Sequence, residues 1–283
     1  MLTVRCWGVR GSLPSPGPDT IIYGGNTSCL EIRADKRLII VDLGTGIRSL
    51  GDWLMKNDYK KSGKIKADIF VTHTHWDHIM GFPMFKPIYV KGTKLRITAP
   101  ALSKNDSVKT IIEKQLSHQY WPVSIDELAA HIEYNYLKEE TQDMGGGLTV
   151  TGKFLNHSNF CMGYRFDYKG MSIVTVFDHE PFSSAKENEK IRQFIKGASI
   201  VIHDAQYTKK EYSDHIGWGH CSYDHVLQYA AGLGLKKLVF FHHEPSRTDC
   251  QLEQIEKKYA EKAAIDVIMA KEGLVLKAQR VNV

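Results

Sequence analysis

The chain has 283 residues, 42% of them hydrophobic and 24% charged, with a formal net charge of +5. Those values belong to a folded, water-soluble protein, and the dispersed lysines exclude a polybasic tail of the kind that grips nucleic acid. The opening MLTVRCWGVRGS puts charge and a glycine turn where a signal peptide needs an unbroken apolar stretch, no run reaches membrane-spanning length, and the five cysteines lack paired spacing; a cytoplasmic protein without membrane contact is expected.

Short Val-, Ile- and Leu-rich runs closed by Gly or Asp alternate with helical patterns, which predicts an α/β fold. Strands are expected at 2–7, 28–33 and 37–42, after a long Gly/Pro-rich loop between Gly11 and Gly25. A helix at 46–56, strands at 67–72 and 94–98 and a helix at 105–118 follow. Strands come next at 131–136, 148–155, 162–168 and 171–177, the last two joined by a tight turn at Tyr168, Lys169 and Gly170. The remaining elements are a helix at 186–196, a strand at 199–203, a helix at 222–232, a strand at 236–241, a helix at 249–262 and strands at 265–269 and 273–278. Ser222 is positioned to cap its helix. The segment near 100–128 reads as a helical insertion, and with no linker composition anywhere, residues 1–283 read as one domain.

The chemistry concentrates in VTHTHWDH. An apolar strand, ADIFV, runs into alternating histidines, so His73 and His75 can face the same way and share an ion. Asp77 and His78 follow as the chain enters a helix, bringing a carboxylate and a third imidazole within reach of a second ion. Further donors stand after apolar strands: His157 after 148–155, Asp178 after SIVTVF, and His242 after KLVFF, with His243 beside it as an alternative.

This series resembles the metallo-β-lactamase superfamily over most of the chain. The resemblance implies an αββα sandwich of two mixed sheets flanked by helices. It implies two divalent ions, one held by His73, His75 and His157, the other by Asp77, His78 and His242, with Asp178 bridging both. Zinc suits these donors, and manganese or iron is compatible with them. DLGTG after RLIIV resembles the family's second strand and turn, where Asp42 has a structural part.

HDAQYT at 203–208 and GHCS at 219–222 resemble the branch containing tRNase Z and the phosphoribosyl cyclic phosphodiesterases. There Asp204 would orient His220 to protonate a leaving oxygen, while Asp77 helps orient or deprotonate the attacking water. The tRNase Z arm, expected after the His157 block, has no room here, and WGVRGSLPSPGPDTIIYGGNTSC and FHHEPSRTD resemble a group related to cyclic-nucleotide phosphodiesterases. The expectation is therefore cleavage of a small cyclic phosphodiester such as a cyclic nucleotide, by a homodimer, with nucleic acid not expected as a partner. Alternatives are a tRNase Z-like RNA endonuclease, a hydrolase of a carbon ester, lactone or thioester, and a nucleotide-binding module without turnover. Arg10, Asn26 and Arg247 are candidate contacts to phosphate or ribose. Tyr120, Trp121 and Phe82 could stack on a base, and His179 and Glu180 could support a ligand imidazole, although each has an ordinary packing role as its alternative.

Overall fold

The computed structural model describes residues 1–100 and 107–280. Alternating buried and half-buried side chains along LTVRCWG make β1 (Leu2–Gly8) a strand with one face in the core. It is followed by β2 (Cys29–Ala34) and β3 (Arg37–Val41), then α1 (Gly46–Leu54), which runs through a π-helical turn at Met55–Tyr59 into α2 (Lys60–Ser62). Gly63, with φ of 65°, ends that helix in the left-handed conformation that costs a glycine least. β4 (Lys66–Phe70), α3 (Trp76–Ile79), β5 (Lys94–Pro100), α4 (Val108–Gln115) and β6 (His131–Leu137) complete the first half.

The second half opens with β7 (Thr141–Gly145), β8 (Leu148–Phe154), β9 (Met162–Tyr168) and β10 (Met171–Val176). It continues through α5 (Ala185–Ile195), β11 (Ile200–Asp204), α6 (Lys209–Tyr212), α7 (Tyr223–Ala230), β12 (Lys237–Phe241), α8 (Asp249–Lys262), β13 (Asp266–Met269) and β14 (Val275–Lys277).

Two seven-stranded sheets result, ordered β14-β1-β2-β3-β4-β5-β6 and β13-β12-β11-β10-β9-β8-β7. Each repeats one scheme: neighbours among β1–β3 are antiparallel and β4–β6 extend β3 in parallel, while neighbours among β8–β10 are antiparallel and β11–β13 extend β10 in parallel. Val4, Ile32 and Phe70 from one sheet meet Phe166, Ile202 and Val239 from the other in a central apolar layer. The outer faces are covered by Ile47 and Leu50 of α1 and Ile112 of α4 on one side, and by Ile195, Val226 and Tyr259 of α5, α7 and α8 on the other. This is the expected αββα sandwich of two mixed sheets. No helix among the described residues is long and apolar enough to cross a membrane.

Most expected elements are present, with three informative differences. The strand expected at 67–72 ends at Phe70, because the backbone leaves the sheet to aim the following histidines inward. The helix expected at 46–56 runs on to Ser62, since no glycine or proline stands between Leu54 and Gly63. β7 was not expected: TQDMG has almost no apolar side chain, and its pairing with β8 supplies the strand. α4 starts after Ser107, whose side chain accepts from the Thr110 N–H; residues 105 and 106 of the expected helix, and the start of the expected insertion at 101–104, lie outside the described residues.

Candidate metal centre

The carboxyl ends of β3, β4, β8, β10, β11 and β12 converge on one rim of the sandwich, the place where α/β sheets present reactive groups. Three residues just past these strands hold left-handed backbones without being glycine: Asp42 (φ 63°), Asp178 (φ 49°) and His242 (φ 60°). Such conformations cost on the order of 1–3 kcal/mol each and persist where the surrounding fold enforces them. Each turns a side chain that would have continued along the sheet toward the rim.

The structure brings the seven expected ligand residues together. His73, His75, His157 and Asp178 form one donor group and Asp77, His78, Asp178 and His242 a second, the donor atoms of each lying within 4.8 Å of one another. Asp178 is common to both: its Oδ2 stands 3.5 Å from His73 Nε2 and 3.7 Å from His157 Nε2, while Oδ1 stands 3.3 Å from both His78 Nε2 and His242 Nε2. Asp77 Oδ2 is 3.1 Å from His78 Nε2 and from His242 Nε2. His75 differs from the others in turning Nδ1 inward, 3.1 Å from His157 Nε2.

The outward Nδ1 atoms of His73, His78, His157 and His242 have acceptors of their own, which fixes those rings with Nε2 toward the donor groups. His78 Nδ1 donates to Asp42 Oδ2 at 2.7 Å, and Asp42 in turn accepts from the Thr72 N–H and hydroxyl. Thr72 Oγ1 accepts from His73 Nδ1 at 3.1 Å, Gly219 O from His157 Nδ1 at 3.1 Å, and Gln206 Oε1 from His242 Nδ1 at 3.2 Å. The Ser12 N–H donates to Asp77 Oδ2 at 2.8 Å, so the glycine-rich loop reaches the site through its backbone. Two glycines are required here by close approach: a Cβ on Gly11 would lie 2.3 Å from His242 Nδ1, and one on Gly219 2.1 Å from His157 Nδ1.

The donor set fits divalent ions on its own chemistry. His73 Nε2 and Asp178 Oδ1 are buried without a hydrogen-bond partner among the described residues, a costly arrangement unless something else occupies the space between them. Burial, with the charge of His78 next, holds His73 well below the ordinary imidazole range, and burial brings His157 down to about 4, so both offer the neutral rings that metals need. Burial also opposes charge on His78, but Asp77, Asp178 and Asp42 outweigh it and hold a proton there; that surplus of negative charge is what a cation would neutralise.

Beside these groups, His220 Nδ1 lies 2.8 Å from Asp204 Oδ2, and the imidazole stacks on His242 with ring centroids 5.0 Å apart. Burial would lower His220, yet the charge and hydrogen bond of Asp204 raise it to about 9. Asp204 is itself held by the His179 N–H.

Other expected contacts fall elsewhere. His243 points away from the donor groups, its Nε2 donating to Ala270 O at 2.7 Å, and of the two adjacent histidines it is His242 that joins a donor group. The three candidate substrate contacts do not reach the site. Arg10 is fully buried and donates to the carbonyls of Gly24, Glu244 and Arg247. Asn26 donates its amide to Glu272, and Arg247 is clamped by both oxygens of Glu211. Their polar atoms tie the Gly11–Gly25 loop and the segment after His243 to the body of the protein. Phe82 packs in the core beneath α1 rather than facing a ligand, while Tyr120 and Trp121 stand beside the loop carrying His75. The His179 ring does not support a ligand imidazole: Nδ1 accepts from the Asn156 N–H and Nε2 meets Tyr229. Glu180 acts at one remove, accepting from the N–H groups of Gly217 and Gly219, whose carbonyl holds His157. Thr72 and Gln206 were not singled out from sequence; their signal was position, one beside HTHWDH and the other inside HDAQYT.

A family profile described as a β-lactamase superfamily domain matches residues 37–243, which contains every donor of both groups. The chain belongs to the metallo-β-lactamase superfamily of hydrolases. Among curated members this hydrolase is 28% identical to a Ribonuclease Z of Staphylococcus epidermidis over 241 residues, covering 64% of this chain and 71% of that one. A Ribonuclease Z of Thermococcus kodakarensis is 22% identical over 287 residues, covering 86% and 84%. Among solved structures, the metallo-β-lactamase fold protein YhfI of Bacillus subtilis superposes with a TM-score of 0.71 at 17% identity, covering 97% of this chain and 98% of that one. Human tRNase Z, short form, gives 0.69 at 18% identity with 98% and 99% covered, and a diphosphatase of the PhnP family gives 0.65 at 18% with 99% of each. At such identities these likenesses speak for the fold, and the donor cluster speaks for divalent metal.

Proposed function

We propose that this superfamily hydrolase cleaves a small cyclic phosphodiester, a cyclic nucleotide by preference, at a site for two divalent ions of which zinc suits the donors best. The observation that carries the reading is the Asp204–His220 pair, 2.8 Å apart and stacked against the ligand His242. A carbon ester or thioester with a good leaving group needs no such proton donor, whereas a departing ribose alkoxide does.

His73, His75 and His157 would hold one ion and Asp77, His78 and His242 the other, with Asp178 shared. Bound there, the ions supply charge neutralisation for the phosphoryl oxygens and acidify a water toward pKa ~7. The chain's own groups do the rest. Asp77, fixed by the Ser12 N–H, accepts a hydrogen bond from the attacking water and orients it. Burial opposes charge on Asp77, but His78 and His242 hold it below the ordinary carboxylate range, so it remains an acceptor at all working pH values. His220 has one ring nitrogen committed to Asp204; the proton on Nε2 passes to the leaving oxygen, and Asp204 stabilises the imidazolium before that transfer. The small substrate is supported by the short path from His157 to β9, which begins at Met162 and leaves no room for an RNA-holding arm.

A second reading, an RNA endonuclease, is favoured by the curated relatives named Ribonuclease Z. The two are separated by a panel of 3′,5′- and 2′,3′-cyclic nucleotides, a cyclic ribose phosphate, a precursor transfer RNA and a lactone, each with defined metals. Cleavage of a cyclic phosphodiester, with a roughly 10²–10⁴-fold loss of turnover in His220→Ala at unchanged metal content, is the expected result. Cleavage confined to the precursor RNA or to the lactone overturns it, and tight binding of an uncleaved cyclic nucleotide would make the protein a binding module.

A further inference from the structure

The loop that supplies the ligands has a second face. Thr74, set between His73 and His75, and Trp76, set between His75 and Asp77, line a cavity of about 460 Å³ directly beside the donor groups in the chain. Its volume falls within the ~300–1,000 Å³ typical of small-molecule sites. Successive Cα atoms are ~3.8 Å apart, so this wall is one residue from the ligands on either side.

The cavity's chemistry is aromatic and apolar. Trp76 and Tyr120 are 77% and 78% exposed, an unfavourable setting for large apolar rings. Trp121 is held in a fixed pose, its indole N–H donating to Tyr89, whose hydroxyl donates to Pro83 O at 2.6 Å. Ile79, Met80 and Ile111 form the floor. Two polar residues, Thr74 and Gln115, are built into the wall; Gln115 Nε2 donates to Ile79 O at 3.1 Å, which leaves its Oε1 buried and without a partner among the described residues. Lys114 adds a single cation at the rim.

We infer that this cavity receives the nucleobase of the substrate, stacked between the rings of Trp76 and Tyr120, while the phosphodiester lies over the donor groups; the inference rests on the phosphodiester reading above. Every base has a π-face to stack, and an amino-bearing edge, as in adenine, matches the unused Gln115 acceptor. A protein partner would need a broader apolar area than one cavity of this size, and a lactone would leave the facing rings unused.

Two measurements on the metal-loaded full chain test this. Adenosine, which carries a base and no phosphate, should quench tryptophan emission saturably in wild type and in Tyr120→Phe. In Tyr120→Ala the dissociation constant should rise about ten-fold, within the range that loss of one base–aromatic stack produces. In parallel, KM for a cyclic nucleotide should rise by a similar factor in Tyr120→Ala with kcat held, while kcat/KM for a cyclic ribose phosphate stays at its wild-type value. Absent quenching, or an affinity and KM indifferent to Tyr120→Ala, overturns the assignment, as does an equal loss on the base-free substrate. Should wild type cleave no cyclic nucleotide at all, the phosphodiester reading fails by itself, and the adenosine titration still decides what the cavity holds.

Discussion

The two sheets share one topology, yet they load the rim in opposite ways. In the first, four of the seven donors come from a single loop after β4, His73 to His78, and the end of β3 contributes only Asp42, which stands behind His78. In the second, His157, Asp178 and His242 arrive one at a time after β8, β10 and β12. Asp42 and Asp178 occupy matching places, just past β3 and β10, both with left-handed backbones. Their side chains have nevertheless diverged: one touches both donor groups, and the other meets Thr72 and an imidazole's far nitrogen. Equivalent backbone positions thus carry a shared ligand in one half and its support in the other, and which is which depends on the neighbours, not on the turn.

Substitution tests that contrast directly. Asp178→Asn keeps the shape and removes the charge common to both groups; metal content should drop below two per chain and turnover should fall on the order of 1,000-fold, since bound ions supply several kcal/mol of charge stabilisation. Asp42→Ala should leave both sites occupied at saturating metal and weaken affinity by only ~10–100-fold, as expected when a ligand loses its orienting partner. Equal effects in metal titrations of the two variants would erase the distinction between ligand and support. At the end of β11, Asp204→Asn probes the proton rather than the metal. With Asp204 charged, the raised pKa of His220, about 9, keeps the ring protonated through neutral pH; without that charge it returns toward the ordinary ~6.5, so the alkaline limb of the pH–rate profile should move to lower pH with metal content intact. An unmoved limb would take His220 out of the proton-transfer role. The smallest effect belongs to Arg247→Ala, outside both halves of the rim: loss of its Glu211 clamp should lower stability by about 1 kcal/mol in thermal melts and leave KM unchanged. A raised KM would instead return Arg247 to the substrate.

The same asymmetry explains what could be read from the chain. HTHWDH compresses a local geometry, strand end then helix, into six residues, so spacing alone exposes it. His157, Asp178 and His242 are single residues after apolar runs; only their order and the family resemblance joined them and set His242 before His243, and the left-handed turn then sends one ring inward and the other toward Ala270. Arg10, Asn26 and Arg247 misled because residue type suggests phosphate while burial decides use: a fully buried guanidinium spends its donors on the nearest carbonyls. β7 escaped for the reverse reason, as an edge strand made by its partner and not by its own pattern.

The peptide of Gly219 also constrains how the site can evolve. Gly219 gives its N–H to Glu180 and its carbonyl to His157, and its neighbour in the chain is His220. Under the proposed mechanism, ligand geometry and proton donation are therefore inherited as one block of sequence, and an insertion at this point would cost both in a single step. Variation in substrate has a freer route along the opposite wall, at the exposed Tyr120, where no backbone bond to the rim is at stake.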